Sequence, residues 1–227
     1  MNSRVSKNDC IAEISRFYKK YYTFCKSPDP DHVRDVLQSA YSLNDKLKKA
    51  SITDFFDSEE FLAIKAIRNF ITHQGEMLNE SKSHPLISSF PIESDVSIKC
   101  LIPAEKMVEI LNSSSKQAKE ALNNEIIVYR NFSDIYPCIF NFGVKLFLVI
   151  EELGFEISSE DYLSMKKSID FERVNGYPHF INGKVHLPLG GCVDDFINNH
   201  LITMEVRAEQ LAELYEDKDG IFTSKLS

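Results

Sequence analysis

Apolar residues recur at helical spacing along most of the chain, and the gaps between the runs mark its elements. Ile11, Ile14, Phe17, Tyr18, Tyr21 and Cys25 predict a helix over residues 8–26, because positions three and four apart share one helix face. Ser27-Pro28-Asp29-Pro30 stops it and starts a second helix, with Asp29 as cap and Pro30 in the first turn. Val33, Val36, Leu37, Ala40, Tyr41 and Leu47 line that helix, and the short link predicts an antiparallel hairpin. A third helix starts near Asp57 or Ser58, with Glu59 and Glu60 in its first turn and Phe61, Leu62, Ile64, Ile67, Phe70 and Ile71 on its apolar face.

The middle of the chain is less regular. Residues 81–91 read as a loop, and residues 95–102 alternate enough for a short strand. Pro103 and Glu105 open a helix carrying Met107, Ile110, Leu111, Ala118, Ala121 and Leu122, with an interruption marked by Ser113-Ser114-Ser115. Residues 138–153 are apolar on nearly all sides, which predicts a central buried helix, and Gly154 suits its end. Ser158 or Ser159 caps a further helix through Tyr162 and Met165. Asn182-Gly183 predicts a two-residue turn, hence a β-hairpin at about 177–188. Phe196, Ile197, Leu201, Met204, Leu211 and Leu214 predict a last helix at about 193–216. The expected fold is mainly α: one domain over residues 1–227, a multi-helix bundle with a small β-hairpin appendage. Motif-bearing helices fill about 8–80 and buried central helices about 103–153.

Composition narrows the function. The chain has 227 residues and a net charge of -8, so phosphate binding would have to come from a local patch. Neither glycine fingerprint of a nucleotide-binding loop is present. The densest basic run, Lys46, Lys48 and Lys49, reads as a solvated last helical turn. Five scattered cysteines without a Cys-x-x-Cys pair read as reduced thiols of a cytoplasmic protein. No signal-like apolar run follows the N-terminus, and the apolar stretch 138–150 is too short to span a bilayer. No membrane association and no cofactor are expected.

The main chemical offer is Arg68-Asn69-Phe70-Ile71-Thr72-His73, inside the third helix. An RNA phosphodiester is cut without a metal when the ribose 2'-OH attacks phosphorus and the 5'-oxygen leaves. The reaction needs a base, an acid and a cation for the phosphorane. Histidine suits the proton transfers, and the arginine fork suits the phosphate. Asn69 stands one turn before His73, where its amide can orient the imidazole.

These residues resemble the ribonuclease motif of the HEPN superfamily: Arg, four to six residues, then His, often with a polar residue after Arg. Arg68, Asn69 and His73 match its short-spacing form. The match covers about one helix, and its place in the first third of the chain differs from the family's usual late position. The resemblance implies a helical bundle that forms a homodimer, so that two motifs share a cleft, and metal-independent cleavage of RNA by catalytic Arg68, Asn69 and His73. It also implies a toxin or phage-defence role, with an antitoxin protein as partner in the former. Some members only bind or scaffold, so the alternative is a non-catalytic helical dimerisation or protein-interaction module.

Other candidates offer less. His179, His186 and Cys192 supply three zinc-type ligands without an evident fourth. Arg173 and His179 repeat the motif spacing, but Gly176 and Pro178 forbid a regular helix between them. Glu151-Glu152 and Asp194-Asp195 read as caps or solvated charges.

Overall fold

Ser6 starts the first helix by a reciprocal cap: Asp9 N donates to Ser6 Oγ at 3.1 Å and Ser6 N to Asp9 Oδ2 at 2.9 Å. The computed structural model describes residues 5–73, 82–85, 98–185, 214–216 and 222–224. Helix α1 spans Lys7–Lys26 and α2 spans Pro30–Lys49. The predicted Asp29 cap forms, with His32 N donating to its Oδ1 at 2.9 Å. Glu13 meets Lys46 at 2.6 Å while Lys20 meets Asp35, so the two helices run antiparallel as expected.

Helix α3 spans Glu59–His73. Buried Asn44 of α2 accepts Phe55 N at 2.7 Å and so fixes the link into α3. Helix α6, Tyr136–Glu152, is the predicted central helix. Phe142 on α6 lies 5.9 Å from Phe17, 5.5 Å from Phe55 and 5.6 Å from Phe61 between ring centroids. This aromatic cluster joins α1, the α2–α3 link, α3 and α6 in one core. Tyr18 and Tyr21 on α1 donate to Gly143 O and Phe140 O, each at 3.0 Å. Lys145 of α6 pairs with Glu60 of α3 at 2.7 Å. Gly154 follows α6 with φ +64, as its place beyond the helix end predicts.

Strands β1 (Lys82–Pro85), β2 (Ile98–Pro103), β3 (Ile127–Val128) and β4 (Phe132–Asp134) form an antiparallel sheet in the order β1-β2-β4-β3. One expectation changes here. Residues 82–85, read as loop, pair with β2, Ser83 opposite Cys100. The stretch opened by Pro103 is interrupted at the serines as expected, giving two helices, α4 (Ala104–Ser113) and α5 (Lys116–Glu125). Ser115 caps α5, and Ser113 and Ser114 both bond back to Ile110 O, which ends α4. The apolar run after α5 is strand, turned back at Arg130-Asn131.

Helix α7 spans Glu160–Asn175, and Gly176 ends it with φ +71. The hairpin at 177–188 does not form as predicted, since residues 177–185 contain no strand. The Asn182-Gly183 turn itself is made, with Lys184 N on Asn182 Oδ1 at 2.8 Å and φ +64 at Gly183. Its flank bonds elsewhere: Asn141 of α6 holds both Ile181 N and Ile181 O, and Lys99 of β2 donates to Gly183 O. Residues 186–188 lie outside the described residues. So do residues 193–213 of the expected last helix, whereas Leu214–Glu216 is strand β5, paired with β6 (Phe222–Ser224). The small β element of this mainly helical protein is therefore chiefly the sheet around β2. Among the described residues, no helix is long and apolar enough to cross a membrane.

Candidate functional site

The buried stripe of α3, Phe61, Ile64, Ile67 and Phe70, leaves Lys65, Arg68, Asn69, Thr72 and His73 on its open side. Arg68 turns toward α2. Its Nε donates to Gln38 Oε1 at 2.9 Å, and its guanidinium carbon lies 4.3 Å from the centre of the Tyr41 ring. Its Nη1 donates to Asn69 Oδ1 at 3.2 Å. Thr72 Oγ1 bonds back to Arg68 O at 2.9 Å, which tightens this turn. Two of the five guanidinium N–H groups are thus engaged among the described residues. No carboxylate forms an ion pair with Arg68 among the described residues.

Asn69 faces the other flank. It lines a cleft of about 220 Å³ with Leu62, Lys65, Phe70 and the serines between α4 and α5. His73 is exposed at the last residue of α3, one turn beyond Asn69. Helix geometry separates Arg68 from His73 by about 7.5 Å along the axis and roughly 140° around it. Arg68 and Asn69 are therefore joined directly, whereas no hydrogen bond ties His73 to either among the described residues. The Asn69 side-chain oxygen accepts from Arg68.

No family model, curated protein or solved structure matches this chain. What the site can do therefore rests on its own chemistry.

Sequence reasoning missed a pair of cations on the same two helices as the Arg68 contact. Lys48 of α2 and Lys65 of α3 sit over the half-buried Phe56 ring, 4.3 Å and 4.6 Å from its centre. The basic run that reads as one solvated turn divides three ways. Lys46 pairs with Glu13, Lys49 pairs with Asp45 at 2.6 Å, and Lys48 goes to the ring. The signal was the spacing: Gln38, Tyr41 and Lys48 share one face of α2, and Lys65 and Arg68 share one face of α3.

The remaining candidates have other work. His179 Nδ1 lies 2.7 Å from Glu172 Oε2, while His186 and Cys192 lie outside the described residues. No group of three or more His, Cys, Asp or Glu side chains suited to a metal occurs among the described residues. Arg173 pairs with Asp170 at 3.1 Å. Glu151 accepts from Lys166 at 2.5 Å and from Tyr162 at 2.7 Å, and Asp194-Asp195 lie outside the described residues. Cys25 lines a second cleft with His179, but burial pushes its thiol up to about 12. It is a poor source of thiolate there.

Proposed function

We propose that this chain is a metal-independent endoribonuclease of HEPN type. The observation that carries the reading is the state of Arg68: oriented by Gln38, Tyr41 and Asn69, and paired with no carboxylate among the described residues. A guanidinium held this way can grip a phosphate and stabilise charge on the phosphorane with little reorganisation. His73 is the acid or base, exposed at the C-terminal end of the same helix. Asn69 acts by positioning Arg68. One His73 serves one proton transfer, and the reaction needs both a base and an acid. A homodimer that pairs two α3 edges supplies the second imidazole. In a toxin role, an antitoxin protein would cover this edge.

The test is RNA cleavage by the purified protein in EDTA, beside His73→Ala and Arg68→Ala. The reading expects cyclic-phosphate ends from the wild type and no cutting by either variant, with both variants folded. No cleavage by the wild type, or equal cleavage by all three, overturns it. The second reading, a non-catalytic dimerisation or interaction module, is favoured by the net charge of -8. In that case Arg68 only ties α3 to α2.

A further inference from the structure

Two ammonium groups, those of Lys48 and Lys65, share the Phe56 ring. Both lie within 4.6 Å of one ring centre, which places them inside the screening length of about 10 Å at 0.1 M salt. Their repulsion is therefore only partly screened. The seam carries little to relieve it. Asp45 is committed to Lys49. Asp54 and Asp57 lie in the link that carries Phe56, and Asp54 accepts Phe56 N at 3.1 Å. Neither forms an ion pair with Lys48 or Lys65 among the described residues. Arg68 continues the row one turn further along α3. In each case an aromatic face holds the cation without cancelling it: Phe56 for the lysines and Tyr41 for the arginine. Lys48, Lys65 and Arg68 thus place three positive charges along the α2–α3 seam that form no ion pair among the described residues, in a protein whose net charge is negative.

We propose that this seam is a binding track for single-stranded RNA, in which Lys48 and Lys65 hold a backbone phosphate next to the one gripped by Arg68. The proposal rests on the ribonuclease reading for the choice of RNA, and it adds two binding residues outside the Arg-Asn-x-x-x-His stretch. An extended single strand suits the seam because its phosphates lie in a row, and charge neutralisation there is independent of base sequence.

The test is a binding titration in EDTA with a short, labelled 2'-O-methyl RNA strand. That strand lacks the attacking hydroxyl and cannot be cut. Affinity is followed from about 50 to about 200 mM salt, where each phosphate contact to a single strand contributes about -0.7 to the log–log slope. Three cations predict a slope of about -2, and Lys48→Ala/Lys65→Ala predicts about -0.7 with an unchanged melting temperature. Lys166→Ala, which removes a cation paired with Glu151 away from the seam, should leave the slope unchanged. A slope that the double variant does not alter overturns the proposal. So does displacement of RNA by polyglutamate at equal charge concentration, which would mark the seam as a dock for an acidic protein segment. The two readings fail separately. Binding through Lys48 and Lys65 without any cleavage removes the ribonuclease and keeps the track; cleavage that needs Arg68, with binding indifferent to the lysines, does the reverse.

Discussion

The Arg68 guanidinium carbon lies 4.3 Å from the centre of the Tyr41 ring, a contact between adjoining helices that positions a cation without neutralising it. Lysine keeps the charge at this place but loses the planar fork and the stack. Arg68→Lys should therefore cut RNA about 100-fold or more slowly, the scale of losing one preorganised charge-stabilising group. Stability should change by less than about 1 kcal/mol, since the side chain is half-buried and its ring contact is worth only that much. Tyr41→Leu should slow cleavage by roughly 2- to 5-fold through the same contact, and Tyr41→Phe should restore it. Initial rates and melting curves for the three variants decide this. A Tyr41→Phe protein as slow as Tyr41→Leu would mean that the hydroxyl matters and the ring does not.

The parts of this molecule legible in the sequence are those whose causes are local. Asp29 and Pro30 sit where α2 begins, and the apolar stripes of α1, α2, α3 and α6 bury as their spacing implies. Strands β3 and β4 have two and three residues, too few to show a period, and the apolar run from Ile126 continues smoothly out of α5. The Asn182-Gly183 turn is local and forms, but the partners that replace its hairpin come from 40 and 84 positions away, from Asn141 and Lys99. The site divides in the same way. Arg68 meets Asn69, its neighbour in sequence, whereas Gln38, Tyr41, Lys48 and Phe56 reach the edge only because α2 packs beside α3.

Gly143 is a packing requirement that no sequence pattern announced. It lies in the middle of α6, where a Cβ would fall inside the space of the Tyr21 ring. The neighbouring Tyr18 hydroxyl also donates to its carbonyl. Gly143→Ala gains helix propensity of nearly 1 kcal/mol, but it drives α1 from α6 or Tyr21 from its position. Overpacking of this kind costs about 1–3 kcal/mol or more, so urea denaturation should show net destabilisation. A more stable Gly143→Ala protein would mean that the α1–α6 contact adjusts without strain.

Acid should unfold the protein through its paired carboxylates. Burial pushes the Glu13 carboxyl up, but hydrogen bonds from Lys46 and Arg16 outweigh this and leave it below its ordinary 4.5. Glu60 and Glu151 are lowered against burial in the same way, chiefly by Lys145 and Lys166. A carboxyl with a lowered folded value binds protons more readily once unfolded. Its contribution is complete above 4.5 and disappears as the pH falls through the folded value. Melting temperature should therefore drop steeply below that point. Glu13→Gln should lower the melting temperature at pH 7 and flatten this acid limb. An acid limb unchanged in Glu13→Gln would place the pH dependence on other groups.

The Lys99–Asp134 pair provides the sharpest test of the core. Both side chains are fully buried and lie 3.4 Å apart. Asp134 Oδ1 accepts Cys100 N and Tyr136 N, each at 3.0 Å, so one carboxylate joins β2, β4 and the start of α6. Burial holds its carboxyl above the ordinary range even with Lys99 and these two N–H groups opposing. Lys99 also tethers Gly183, which links the sheet to the segment after α7. Lys99→Met leaves the fully buried carboxylate without its cation, and breaking a buried pair from one side costs about 3–5 kcal/mol. Lys99→Met/Asp134→Asn removes both charges and should be less destabilised than Lys99→Met alone. A double-mutant cycle by urea denaturation measures the difference. Additive losses would show that the two residues act independently and that the tether to Gly183, rather than the charge pair, is what Lys99 contributes.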